Sequence, residues 1–146
     1  MKYQFNEGSL IFPESAINKT VHMLVLNPET SLTCSMIVSG FLEGETPEQF
    51  IDRQMKSLSR QLTQFKEVSR TKAVLGQANE PIEAYLIETQ FKQGAQPFFQ
   101  KQCVALISKE KALVFTINSN QPFSEGDLAA WTVACNSLEF RKNLSA

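Results

Sequence analysis

The sequence predicts an α+β fold, a mostly antiparallel sheet with two flanking helices. Three observations carry this. Short runs rich in Val, Ile, Thr and aromatic residues alternate with turn clusters along most of the chain, the pattern of strands joined by tight turns. Two stretches, starting at Thr46 and Ser124, break that pattern with capping residues followed by apolar positions at helical spacing. The resulting order is strands, helix, about four strands, helix, which suits helices packed on an antiparallel sheet rather than alternating βαβ units.

Taken in order, Tyr3 and Phe5 alternate before a turn at Asn6-Glu7-Gly8, and Leu10 and Phe12 alternate before Pro13. This reads as a small hairpin, followed by a loop through Asn18. Residues 19–40 are the stretch around which the chain is organised. Residues 20–26 and 33–39 are strand-like. Between them Asn27-Pro28-Glu29-Thr30-Ser31 carries turn chemistry: Pro fixes φ, while Asn and Ser close local turns. Alternate residues share a face. Val21, Met23, Val25, Ser35, Ile37 and Ser39 therefore form one face; His22, Leu24, Leu26, Cys34, Met36 and Val38 form the other. Neither face carries a charge. One must cover the chain's own core. The other, apolar but dotted with hydroxyls, calls for a second cover, either a helix of the same chain or another molecule. In the register that pairs Val25 with Ser35, Val21 lies opposite Ser39 and Met23 opposite Ile37.

After a loop at 40–45, Thr46 can cap, Pro47 suits the first helical position and Gln49 completes a capping box. The helix is expected to run to about Phe65, with Ile51, Met55, Leu58, Leu62 and Phe65 as its buried stripe. Asp52, Arg53, Lys56 and Arg60 lie opposite, and Phe50, Gln54, Ser57 and Gln61 form an uncharged shoulder. Residues 67–75 read as a more exposed strand and 76–81 as a loop. Residues 82–91 follow, with Tyr85, Ile87, Thr89 and Phe91 on one face. Gln93-Gly94 turns the chain into a strand over 98–108, whose Gln100 and Gln102 share a face with Phe98, Val104 and Leu106. A turn at 109–111 leads to a last strand with Leu113, Phe115 and Ile117 facing the core. Ser124 with Asp127 starts the second helix, whose stripe is Leu128, Trp131, Cys135 and Leu138, before a polar tail after Phe140.

A chain of 146 residues suits one domain spanning 1–146. Fourteen basic against fifteen acidic side chains give a net charge of −1, so nothing argues for nucleic acid or an anionic membrane. No apolar run approaches the roughly 20 residues that span a bilayer, and the N-terminus lacks the apolar core of a signal peptide. Cys34, Cys103 and Cys135 are odd in number and far apart. They read as small buried hydrophobes in a reducing compartment, and the expected location is the cytoplasm. Chemistry has little to stand on. The one histidine, His22, sits between Val21 and Met23 in a strand. There is no cysteine pair at metal-ligand spacing, no glycine-rich phosphate loop and no nucleophile elbow. Glu43 and Glu45 fall in a loop. The expectation is a binding protein without catalytic residues, metal or cofactor.

The residues Tyr3…Asn6-Glu7-Gly8…Phe12-Pro13, Lys19-Thr20-Val21-His22-Met23-Leu24, Ser35-Met36-Ile37-Val38-Ser39, Arg53-Gln54, Lys101-Gln102 and the last helix with Trp131 resemble the DcrB-related family. The likeness covers nearly the whole chain. Within the family it resembles the Eag branch, the effector-associated chaperones of bacterial type VI secretion. Other members are exported lipoproteins, and this chain departs from them by lacking a signal peptide or lipobox. The resemblance implies a fold like that of the Mog1 and PsbP proteins. It implies a homodimer whose concave sheet surface holds the N-terminal transmembrane segments of a PAAR-containing effector and helps its loading onto the secretion spike. The client-contacting positions it implies are Val21, Met23, Ser35, Ser39, Gln54 and Gln102; Ile37 and Gln61 join them from face and shoulder geometry. The alternative is a Mog1-like adaptor that binds a folded soluble protein. An enzyme acting on a small molecule is a third class.

The physics of such a client suits these residue types. A transmembrane helix in water exposes about 20 apolar residues, and covering them gains roughly 25 cal/mol per Å2. Small hydroxyls and amides allow close helix approach and supply hydrogen bonds, whereas a charge there would lose its hydration on docking. The lack of a nucleophile, base and metal set gives the first testable expectation. His22→Asn should leave function unchanged beyond the cost of a packing change. A purified protein that turns over a substrate in a His22-dependent manner would overturn it.

Overall fold

The computed structural model describes residues 1–17, 19–76 and 80–141. Ten elements follow one another: β1 (Lys2–Phe5), β2 (Gly8–Ile11), β3 (Val21–Asn27), β4 (Leu32–Gly40), α1 (Pro47–Gln61), β5 (Thr63–Leu75), β6 (Ile82–Gln93), β7 (Gln96–Leu106), β8 (Lys111–Ser119) and α2 (Glu125–Asn136). β1 and β2 form a separate hairpin, and the other six strands make one sheet in the order β3-β4-β8-β7-β6-β5. Every pairing is antiparallel, so the α+β expectation holds.

Local chemistry explains where the elements start. Thr46 caps α1, its hydroxyl accepting from the Gln49 amide while the Gln49 side chain accepts from the Thr46 amide. Ser124 and Asp127 do the same for α2. In the β3–β4 turn, Asn27 Oδ1 accepts from the Glu29 amide at 3.0 Å, and Ser31 takes a positive φ. Gly94, at φ +60°, opens the tight turn between Gln93 and its partner Gln96.

Several expectations shift. α1 stops at Gln61, so Phe65 does not extend its stripe; Leu62 caps it in an extended conformation and β5 begins at Thr63. Pairing of Thr63 with Lys92 gives this segment ladder hydrogen bonds in place of another helical turn, and Gln64 at φ +51° makes the bend. Phe50, assigned by spacing to the shoulder, is 1% exposed and packs on Phe41 with ring centroids 4.8 Å apart. The β3–β4 register pairs Val25 with Thr33, Met23 with Ser35 and Val21 with Ile37, two residues from the expected one. A slip of two leaves every side chain on its face. β7 ends at Leu106 rather than 108. In α2 only Trp131 and Cys135 are buried, and Leu128 is exposed. The expected loop at 76–81, the loop to Asn18 and the polar tail fall partly or wholly outside the described residues.

Each face of the sheet carries one helix. On the first, Phe50, Ile51 and Met55 of α1 pack with Tyr85, Ile87, Val104, Ala112 and Val114. On the second, Trp131 and Cys135 of α2 pack with Ala84, Cys103, Ala105, Phe115 and Ile117. Both faces of the central strands therefore enter the core, as their apolar runs require. The turn after β3 is tied in by Ser119 and Asn120, which both donate to the Thr30 carbonyl. Among the described residues no helix is long and apolar enough to cross a membrane.

Ile51 is fully buried at the centre of the α1 contact. Ile51→Ala should cost about 2–5 kcal/mol through lost transfer energy and the cavity left behind, read as a lower urea midpoint in equilibrium unfolding. A cost below about 1 kcal/mol would mean that α1 is not clamped on the sheet.

Candidate functional site

The antiparallel registers place the candidate residues in rows across the α1 face. One row runs Met23, Ser35, Thr116, Gln102, Ile87, and the next runs Val25, Thr33, Asn118, Gln100, Thr89. On the other side lies Val21, Ile37, Val114, Val104, Tyr85, and beyond it Ser39, Ala112, Leu106. The structure thus brings Val21, Met23, Ser35, Ile37 and Gln102 together on one surface. Ser39 shares the face further along, near the start of α1. From β3 through β6 no Lys, Arg, Asp or Glu stands in these rows.

α1 covers only part of this face, and its side contacts show which part. Tyr85 Oη donates to the Glu48 carboxylate, and Arg70 of β5 pairs with Asp52 at 2.7 Å. The Glu48–Asp52 edge is therefore turned to β5 and β6. At about 100° per residue, Ser57 and Gln61 lie on the opposite edge, with Gln54 between that edge and the core. The uncharged shoulder thus borders the strands that α1 leaves open. Gln54 is half-buried there. Gln61 is exposed, and its amide donates to Ser57 Oγ at 3.1 Å, a contact within the helix.

Burial falls steadily away from the helix. Ile37 is half-buried against the α1 cluster and Ser35 is half-buried, but Val21, Met23 and Val25 are 52%, 65% and 64% exposed. The polar groups between are partly matched. Gln102 Nε2 donates to Thr116 Oγ1 at 3.3 Å, and Thr89 Oγ1 donates to Gln100 Oε1 at 2.8 Å. Among the described residues, Gln102 Oε1 and Asn118 Oδ1 are buried without a hydrogen-bond partner. The surface is a shallow trough: apolar at the β3 edge, uncharged and polar along its floor, walled by α1. It has the polarity to take an apolar segment that carries a few hydrogen-bonding groups.

Thr33, Thr116 and Asn118 also belong to this floor, though an apolar pattern alone does not mark them. Their signal was available in the alternation of β8, where Thr116 and Asn118 occupy the positions between Phe115 and Ile117 and after it. The other face holds a second concavity, about 490 Å3, between α2 and the strands β3, β4 and β8. Leu24, Leu26, Met36, Phe115, Trp131 and Ala134 are among its lining. No group of three or more metal-ligating side chains occurs among the described residues.

The anchor of α1 is also a titrating pair. The Glu48 carboxylate, with burial adding to it, pushes the Tyr85 hydroxyl up to about 12, and the Tyr85 hydroxyl holds Glu48 below the usual carboxylate range. A raised pKa in the folded state stabilises below the unfolded value, near 10, and that contribution is lost as pH rises to about 12. Tyr85→Phe should therefore be less stable than the natural protein at pH 8, with the difference disappearing by about pH 12. Urea unfolding of both proteins across this range checks it, and a gap that does not change with pH would separate Tyr85 from Glu48.

Residues 7–137 match the sequence profile of the DcrB family. Among solved structures, PA94, a Pseudomonas aeruginosa protein of unknown function, aligns with a TM-score of 0.61 at 19% identity and covers 98% of both chains. LpqN of Mycobacterium tuberculosis, involved in cell envelope biogenesis, aligns over 78% of this chain and 64% of its own, at 15% identity and a TM-score of 0.49. No curated protein matches the chain.

Proposed function

The chain belongs to the DcrB family, and from that premise we propose that it is a cytoplasmic chaperone of the Eag type. It binds and shields the N-terminal transmembrane helices of a type VI secretion effector and helps load that effector onto the secretion spike. It works as a homodimer and carries no catalytic activity of its own. The observation that supports this reading is the trough on the α1 face: Val21, Met23 and Val25 stand more than half exposed beside a floor of Ser35, Thr116, Gln102 and Asn118, with no charged side chain in the rows.

The trough suits a transmembrane helix in three ways. Its apolar edge removes lipid-facing side chains from water, the dominant favourable term in such a contact. Its serines and threonines are small enough for a helix backbone to approach closely. Its amides hold unused acceptor capacity at Gln102 and Asn118, which hydroxyl or amide donors on a client can meet once the side chains turn outward. An ordinary folded surface would more readily be met by a charged trough, since exposed charges steer encounter between soluble proteins. A membrane segment offers no counter-charge, so a charge in the floor would be buried unpaired.

Ser35 tests the reading because it is half-buried next to exposed Met23. Ser35→Lys should fold with a near-normal melting temperature, because the lysine reaches water past the β3 edge. It should nevertheless fail to keep a co-expressed transmembrane client soluble. Loss of the fold would show that this face is sealed core; normal folding with normal client recovery would show that the client sits elsewhere.

A further inference from the structure

We propose that the slot between α2 and the strands β3, β4 and β8 binds a linear single-chain amphiphile. Its hydrocarbon tail lies along α2, and a hydrogen-bond-donating head, hydroxyl or ammonium, is held at the Asp127 end. The slot is on the sheet face opposite the trough, so this site does not depend on the chaperone reading.

The slot exists because of the residues that α2 turns toward β4. Asp127, Ala130, Ala134 and Leu138 line it and recur at three- and four-residue spacing, as one stripe of a helix does. The middle of that stripe is alanine, where a core-facing helix more often carries Leu or Ile. Trp131, next to the stripe, is buried and packs on Phe115 with ring centroids 5.3 Å apart, which spaces the helix from the strands. Leu24, Leu26, Met36 and Leu113 stand across the gap. The space between is about 490 Å3, within the roughly 300–1,000 Å3 of small-molecule sites. Ala130 and Ala134 are exposed, so the slot opens to solvent along the helix and a ligand enters without unfolding.

Its shape selects the ligand. The stripe from Asp127 to Leu138 runs for about 16 Å at the helical rise. On the strand side the lining reaches from Leu32 to Leu113, which pairs with Val38, about 20 Å along β4. A volume of about 490 Å3 over that length leaves a mean cross-section of about 25–30 Å2. That width takes one extended hydrocarbon chain. An α-helix, about 10–12 Å across with its side chains, does not fit. The polar groups gather at one end. Among the described residues, Asp127 is the one charged side chain in the lining. It is half-buried in the first turn of α2. One of its carboxylate oxygens accepts from the Ser124 amide, and the carboxylate keeps further lone pairs for a donor on the ligand. Asn27 lines the same slot beside its pairing partner Leu32, and its amide nitrogen can donate to a hydroxyl head. A carboxylate or phosphate head would face the Asp127 charge in a partly dry site and is disfavoured.

Trp131 is the sole tryptophan of the chain and lines the slot, so its emission reports occupancy. The purified full chain is titrated with dodecanol, dodecylamine and dodecanoate below their micelle-forming concentrations, and calorimetry counts the sites. Dodecanol and dodecylamine should each bind saturably, once per chain, with a change in Trp131 emission. Shortening either tail should weaken binding about fourfold per methylene, and dodecanoate should bind about tenfold more weakly than dodecylamine. Ala134→Leu places a larger side chain in the slot and should weaken all binding about tenfold or more, with circular dichroism and melting unchanged. Ala130→Leu, one turn earlier, repeats the test if Ala134→Leu melts early. Asp127→Asn keeps an acceptor for the Ser124 amide and should bring dodecylamine and dodecanoate within about twofold of each other. Natural protein that binds none of the three saturably would overturn the site, and so would binding that both leucine variants leave intact. Dodecanoate bound as tightly as dodecylamine by the natural protein would overturn the head assignment.

Discussion

A single helix is too narrow for this sheet. An α-helix with its side chains is about 10–12 Å across, while six strands at about 4.8 Å spacing extend over roughly 24 Å. One helix therefore covers two or three strands, and the chain supplies one per face. Where α1 settles decides what remains open. Glu48 on Tyr85 and Asp52 on Arg70 draw it toward β5 and β6, and β3 with the outer half of β4 is left uncovered. The trough, its exposed apolar edge and its graded burial all follow from that displacement.

The composition of the open region is what such a position demands. Residues under the helix are apolar: Ile87, Val104, Val114 and Ala112 are buried. Residues one or two rows out are hydroxyls and amides, which tolerate either water or a dry partner at modest cost. The charges sit on the β5 edge and on the outer side of α1. There Arg53 pairs with Glu45 and Arg70 with Glu67 in partly buried contacts away from the trough. The chain thus keeps charge off a surface that its own core does not need to keep dry.

Much of this was legible in local sequence. The capping pairs Thr46–Gln49 and Ser124–Asp127 fix helix starts because they satisfy orphan amides within three residues. The turn at Asn27 and the alternation of β3, β4, β6 and β7 are equally local. Helix length was not. Leu62 and Phe65 fit the α1 stripe by spacing, but ladder bonds to Lys92 outweigh one more turn. Phe50 looked like part of the shoulder, because periodicity gives relative angles on a helix and not the direction in which it is pressed. The two-residue shift in the β3–β4 register escaped for a similar reason: both registers keep the same faces, and only the contacts of β4 with β8 and the Thr30 anchor choose between them.

The sequence by itself determined which residues share a face, that the Val21, Met23, Ser35, Ile37 face would be uncharged, and where the helices begin, since all of these depend on periodicity and on contacts within a few residues. The tertiary structure alone decided that Gln102 and Ser35 stand in one row through Thr116 and that β3 is an end of the sheet. It also decided that α1 leans away from β3. Strand order and helix placement arise from pairings between residues tens of positions apart, where the competing free energies are sums over whole surfaces and leave no mark at any one position.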